Sequence, residues 1–127
     1  MECSEAVALI EERRDAWVNE DLETYVGLTA EDYVLEVNGR EELRGRDAFE
    51  DLIRRNYERF LPVSWDFHEI VSHDSHVLAE WTVTMEERET GIRWSVMGMS
   101  ICEVRNGVLT WWREYRSPAA SSGRTDT

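Results

Sequence analysis

Basic side chains are few in this chain: 14 Lys and Arg stand against 27 Asp and Glu, a formal charge of −13. Phosphate backbones need clustered cations, so nucleic acid is excluded as a partner. The same balance disfavours anionic membrane surfaces and acidic substrates. Most of the acids read as solvated helix faces. Cysteine is scarce too: Cys3 and Cys102 have neither the pattern of a disulfide framework nor that of a zinc site, and both read as structural thiols. No apolar run approaches the length of a membrane span. The N-terminus lacks the basic-then-apolar pattern of a signal peptide. There is no internal repeat and no second domain. A soluble cytoplasmic protein of one domain is the expectation, and 127 residues suffice for a core without staples.

What is present is periodic. Ser4 is a candidate cap for a first helix, in which Val7, Ile10, Trp17 and Val18 recur at helical spacing. Asn19-Glu20-Asp21 breaks it, and residues 22–28 read as a short second helix. Residues 33–37 are strand-like and end at the turn pair Asn38-Gly39. After Gly45, the residues Phe49, Leu52, Ile53, Tyr57 and Phe60 form one face of a third helix, stopped before Pro62.

The remainder alternates with period two. Trp65 and Phe67 share a face, with Glu69 a further candidate, and His73 to His76 make a polar turn. Ala79, Trp81, Val83 and Met85 share a face of the next strand. Trp94 and Val96 begin another, after which the apolar positions shift to Met97, Met99 and Ile101, as a bulge or bend at Gly98 would require. Asn106-Gly107 is a hairpin turn, and residues 117–127 are expected to be a disordered tail. Three helices, then four long antiparallel strands, make an α+β domain.

The last strand carries the most chemistry. Alternation sets Glu114 on one face with Trp112 and Arg116. A carboxylate beside an indole in a sheet is costly unless it is paired, hydrated or used. Two readings stay open: a general acid or base, raised by desolvation and lowered by arginine, or half of an Arg–Glu pair that orders the sheet. His68, His73 and His76 have no third ligand nearby in sequence, so no metal site is expected. No Ser or Cys has a plausible triad, and nothing cradles phosphate.

Gly-Arg-Asp-Ala at 45–48 opening the third helix, and Asn-Gly-Val-Leu-x-x-Trp-Arg-Glu-Tyr closing the sheet, resemble the nuclear transport factor 2-like superfamily. Within it the chain is most similar to the SnoaL-like branch, which includes polyketide cyclases and limonene epoxide hydrolase. The resemblance covers residues 4–116 and implies a cone-shaped α+β fold, three N-terminal helices packed on a strongly curved antiparallel sheet around a cavity. It sets Leu35, Val37, Trp65, Trp81, Val83, Trp94, Val96 and Trp112 facing inward as substrate-binding positions, with Glu114 and Arg116 the polar groups among them. Arg14 falls where the hydrolase points a first-helix residue at the cavity, and Arg13 is the alternative if the helix is rotated. Tyr57 could place its hydroxyl at the mouth. Of the hydrolase's Asp-Arg-Asp triad, only the last Asp has a counterpart, Glu114. The other two positions hold Trp81 and Val83, and those of the water-holding Tyr and Asn hold Leu35 and Val37.

The resulting expectation is a small acid–base enzyme without cofactor, a cyclase or isomerase on an apolar, cyclic or polyketide-like metabolite. Glu114 would move the proton, and Arg116 or Arg14 would hold developing negative charge. Alternatives are an epoxide hydrolase or epoxide-opening cyclase, and a non-catalytic ligand-binding or dimerisation module. An outer sheet face of Met97, Met99, Ile101, Trp111 and Tyr115 is expected to be covered in a homodimer.

Overall fold

The computed structural model describes residues 3–118 and 120–121. Helices α1 (Cys3–Val18) and α2 (Leu22–Gly27) lead into a hairpin of β1 (Thr29–Val37) and β2 (Arg40–Arg44). Helix α3 (Arg46–Arg59) follows, then β3 (Phe60–His73), β4 (His76–Glu87), β5 (Arg93–Arg105), β6 (Val108–Arg116) and the short β7 (Ala120–Ser121). The three helices are therefore not all N-terminal to the sheet, because the β1–β2 hairpin separates the second from the third. Strand β2, exposed along most of its length, was not evident in the sequence.

Local chemistry explains the boundaries. Glu20 turns to a φ of 56° after α1, and the Asp21 carboxylate accepts the Thr24 N–H at 3.2 Å to cap α2. Gly45, at a φ of 97°, precedes α3, whose Phe49 and Ile53 are buried. Asn38-Gly39 and Asn106-Gly107 both take positive φ at the two turn residues, the conformation that matches strand twist in a tight hairpin.

The main sheet runs β2-β1-β6-β5-β4-β3. It is mixed rather than antiparallel, because β1 lies parallel to β6, with Leu35 opposite Trp112 and Val37 opposite Glu114. Between them the chain runs through β2, α3 and the strands β3 to β5 before it returns, so the two strands can run the same way. Asn38 ties this junction: its side-chain Oδ1 accepts the Arg116 N–H at 2.9 Å, and its backbone N–H donates to the Glu114 carbonyl at 2.9 Å.

Two readings of strand phase are corrected. No bulge occurs at Gly98 on the β4 side, where the register with β4 is unbroken. The inner face of β5 continues through Trp94, Val96, Gly98, Ser100, Cys102 and Val104, and glycine stands where Trp81 lies. A Cβ there would sit 2.6 Å from Cη2 of Trp81. Glu69 does not share a face with Phe67, because the β3–β4 register shifts between those two residues.

The expected tail at 117–127 mostly lies outside the described residues. Within its described part, the Ser117 N–H donates to the Met97 carbonyl at 3.0 Å, and Ala120–Ser121 pair with Trp94 and Ser95. Among the described residues, no helix is long and apolar enough to cross a membrane.

The Trp81 indole is buried and fixed by an N–H···Oγ bond to Ser100 at 3.0 Å, so it yields poorly to intrusion. Gly98→Ala is expected to destabilise the fold by about 1–3 kcal/mol, the usual cost of overpacking. Urea unfolding measures it. The double variant Gly98→Ala/Trp81→Phe should lose less than the two single losses added, and strict additivity would show that the two sites do not compete for space.

Candidate functional site

The inner sheet face and the helices enclose an open cavity of ≈ 750 Å³. Leu35, Val37, Trp65, Trp81, Val83, Trp94, Val96 and Trp112 all line it, together with Glu114 and Arg116. The indoles thus wall a space without filling it. Trp65 is their centre, meeting Trp17, Trp81 and Trp112 edge-on at 5.9, 6.2 and 6.0 Å. Edge-to-face contacts of this kind stabilise beyond the area they bury.

Glu114 projects from β6, between β1 and β5, with Ser100 as its neighbour on β5. Its Oε1 accepts the Trp112 indole N–H at 2.8 Å, and its Oε2 pairs with Nη1 of Arg116 at 3.2 Å. The carboxyl is 13 % exposed, whereas the Arg116 side chain is 44 % exposed toward the mouth. Burial raises the Glu114 pKa, and the Trp112 bond, Arg116 and Arg13 only partly offset that rise. The two readings of this residue therefore merge: Glu114 is paired, and it is also held in a state readier to carry a proton.

Arg14 is not a cavity residue. Its guanidinium lies over Phe67 at 5.4 Å and bonds Asp15 at 3.0 Å. The helix phase instead turns Arg13 inward on the stripe of Ala6, Leu9, Ile10 and Ala16, at 2 % exposure. Arg13 stacks over Tyr25 at 4.5 Å, Trp112 at 4.8 Å, Phe49 at 5.5 Å and Trp65 at 5.8 Å. Among the described residues, three buried side-chain polar atoms have no hydrogen-bond partner: Nε of Arg13, the Tyr33 hydroxyl and Nε1 of Trp65. Tyr57 is also displaced from its expected place. It lies off the cavity wall, donating its hydroxyl to the Trp17 carbonyl at 2.9 Å and tying α3 to the end of α1.

Other candidates are accounted for. His68 bonds the Thr82 hydroxyl at 2.7 Å. Among the described residues, no group of three or more His, Cys, Asp or Glu side chains could hold a metal ion. Cys102 is buried opposite Trp112, and burial pushes its thiol up to about 12, which keeps it from acting as a nucleophile. Sequence reasoning missed Trp17, Tyr25, Tyr33, Phe49 and Met85 as wall residues. Trp17, Tyr25 and Phe49 carry a signal only once helix phase is known, whereas Tyr33 alternates on β1 with Leu35 and Val37 and was legible from period two.

Residues 10–112 match the SnoaL-like domain. The chain belongs to that family. A comparison with curated protein sequences gives no match. Among solved structures, an LEH-like epoxide hydrolase from Mycobacterium tuberculosis is similar at 28% identity and a TM-score of 0.82, over 92% of this chain and 86% of that one. A candidate polyketide cyclase from Xanthomonas campestris pv. campestris is 24% identical, TM-score 0.73, over 88% of this chain and 90% of the other. A candidate isomerase from Bacillus subtilis is 23% identical, TM-score 0.79, over 91% and 88%. The last two establish the fold alone, an α+β domain with a mixed sheet.

The raised Glu114 pKa has a stability consequence. The folded state holds this proton above the ordinary value of 4.5, so the group's contribution is most favourable below 4.5 and is lost as pH rises through the folded value. Glu114→Gln removes that loss. The unfolding free energy of the variant minus that of the wild type should therefore grow as pH climbs above 4.5, read by urea denaturation across a pH series. A flat difference would mean that burial does not perturb this carboxyl.

Proposed function

We propose that this SnoaL-like chain is a small-molecule acid–base enzyme, a cyclase or isomerase that works without a cofactor on an apolar, cyclic or polyketide-like metabolite. The observation that carries the reading is one mostly buried carboxyl, raised in pKa, on the wall of an open cavity lined by indoles. The sheet forms the curved wall of a cone, the helices cover it, and the cavity is its hollow. Trp65, Trp81, Trp94 and Trp112, with the aliphatic Leu35, Val37, Val83 and Val96, would hold flat rings by offset and edge contacts.

One carboxyl suits chemistry in which the same group accepts and returns a proton. The Glu114 carboxylate takes a proton from a carbon beside a carbonyl, and the C–H electrons move onto the carbonyl oxygen as an enolate. In an isomerisation, the Glu114 acid returns that proton to a different carbon. In a cyclisation, the enolate carbon attacks a second carbonyl and the acid protonates the new alkoxide. Arg116, at 3.2 Å, favours the ionised form of Glu114, the form that acts as base.

The likeness to the LEH-like hydrolase supports a second reading, epoxide opening. It needs a held water and a second proton donor, and the positions where the resemblance would put that help carry Leu35, Val37, Trp81 and Val83. One experiment separates the readings. Turnover of a cyclisable polyketide-like dione should fall by about 10²–10⁴-fold in Glu114→Gln with ligand binding retained, the usual range for a general base. Turnover of an apolar epoxide instead, lost in the same variant, would favour the hydrolase. Binding with no turnover dependent on Glu114 would make the domain a ligand-binding module.

We also propose that the chain forms a homodimer through the outer sheet face. Met97, Met99 and Tyr115 are 56%, 52% and 54% exposed, with Met99 opposite Tyr115 in register and Val71 opposite Leu78 further along. Trp111 joins this face under the Arg113 guanidinium at 4.5 Å. Light scattering should show a dimer for the wild type and a monomer for Met99→Glu. A monomeric wild type would overturn the proposal.

A further inference from the structure

Arg13 is the buried, uncompensated charge of the cavity. Three guanidiniums line it: Arg116 pairs with Glu114 at 3.2 Å, Arg59 pairs with Glu87 at 3.3 Å, and Arg13 makes no ion pair or hydrogen bond among the described residues. Its Nε is buried without a partner, and the residue as a whole is 2 % exposed. Arginine does not shed its proton, so burial cannot be relieved by neutralisation. Taking such a charge out of water is costly unless it is paired. Ring faces attract the cation but give its N–H groups no lone pair to donate to, so its hydrogen-bonding capacity stays unmet.

The surroundings point to the sign of what is missing. Trp65 Nε1 and the Tyr33 hydroxyl are also buried without partners. Both belong to the same cluster: Trp65 lies 5.8 Å from the guanidinium, and Tyr33 packs on Phe49 at 4.9 Å, itself 5.5 Å from the guanidinium. All three can donate, and none of these atoms has an acceptor among the described residues. A cationic ligand is disfavoured, because Arg13 already occupies the aromatic cage. A dianion is disfavoured as well, since one uncompensated cation faces one nearby carboxyl.

We propose that Arg13 is the receptor for an organic monoanion, and that the cavity binds a flat, ring-bearing carboxylate with its two oxygens on the Arg13 guanidinium and its ring among the indoles. The planar fork of a guanidinium matches a carboxylate through two parallel N–H···O bonds. The overall charge of −13, which by itself argues against acidic ligands, acts mainly through exposed groups. Those are screened beyond about 8 Å at physiological salt, whereas a contact inside the cavity is not. The proposal deepens the cavity reading above by naming the ligand class. It rests on that reading for the location of the ligand but on binding alone for its test, so failure to find turnover leaves it standing.

The test uses 2-naphthoate and its neutral isostere 2-naphthamide, titrated into the full chain at neutral pH by calorimetry and tryptophan fluorescence. Wild type should bind the carboxylate at least about tenfold tighter than the amide, in line with charge-assisted hydrogen bonds. Arg13→Gln should abolish the preference, Arg13→Lys should keep part of it, and Glu114→Gln should retain it. Equal binding of the two probes, a preference that survives Arg13→Gln, or no saturable binding at millimolar concentration overturns the proposal. If Arg13→Gln fails to fold, a crystal structure of the wild type with 2-naphthoate decides. The carboxylate must meet Arg13, and finding it at Arg116 instead counts against the assignment.

Discussion

A guanidinium enclosed in a protein interior has to be held by something, and in this chain ring faces hold it. The four rings around Arg13 come from four elements: Tyr25 from α2, Phe49 from α3, Trp65 from β3 and Trp112 from β6. Their convergence fixes how α1 crosses the sheet and how far α2 and α3 can close over it. Trp65 extends the same contact network to Trp17 and Trp81. Trp81 in turn requires a glycine opposite it, since any Cβ at Gly98 would meet the indole. The charge, the indole wall and the smallest residue in the sheet form one packing problem.

That linkage explains what could be read from the sequence. The inward faces of β3 to β6 were legible because large aromatics alternate with polar residues, and a period of two leaves little ambiguity. The phase of α1 was harder. Neighbouring helical positions point about 100° apart, and Arg13 and Arg14 are the same residue type, so composition could not choose between them. Small residues, Ala6 and Ala16, occupy much of the buried stripe, while the bulkier Val7 and Val18 are only half-buried. At Gly98 a missing side chain looked like a shifted pattern. The β1–β6 pairing was illegible for another reason: it joins segments such as Asn38 and Arg116, 78 positions apart, and no local signal records strand direction.

The SnoaL-like family and the shared fold leave the chemistry open, because this scaffold hosts several reactions. What distinguishes the chain is where polarity has been withdrawn. The resemblance to limonene epoxide hydrolase would place polar groups at the positions of Leu35, Val37, Trp81 and Val83, and here all four are apolar. Ionisable chemistry near the sheet therefore concentrates at the end of β6. Withdrawal of polar neighbours also strengthens what remains, since a carboxyl with fewer dipoles around it is more fully governed by burial. The raised pKa of Glu114 and the apolar wall share this cause.

The charge at Arg13 and the proton at Glu114 are coupled through the cavity. Burial lifts the Glu114 pKa, and three influences hold it down: the Trp112 N–H, Arg116 and Arg13. Glu42, also on the wall, pushes upward. Two of the three restraining influences are fixed by direct contact with the carboxyl. The third acts at a distance and is open to compensation, because Arg13 has no carboxylate of its own. An anion seated on that guanidinium, as proposed above, would offset its field at Glu114 and make the carboxylate a stronger base. Under that proposal one unpaired charge would serve twice: it would select the ligand, and it would let the ligand's own charge tune the group that acts on it.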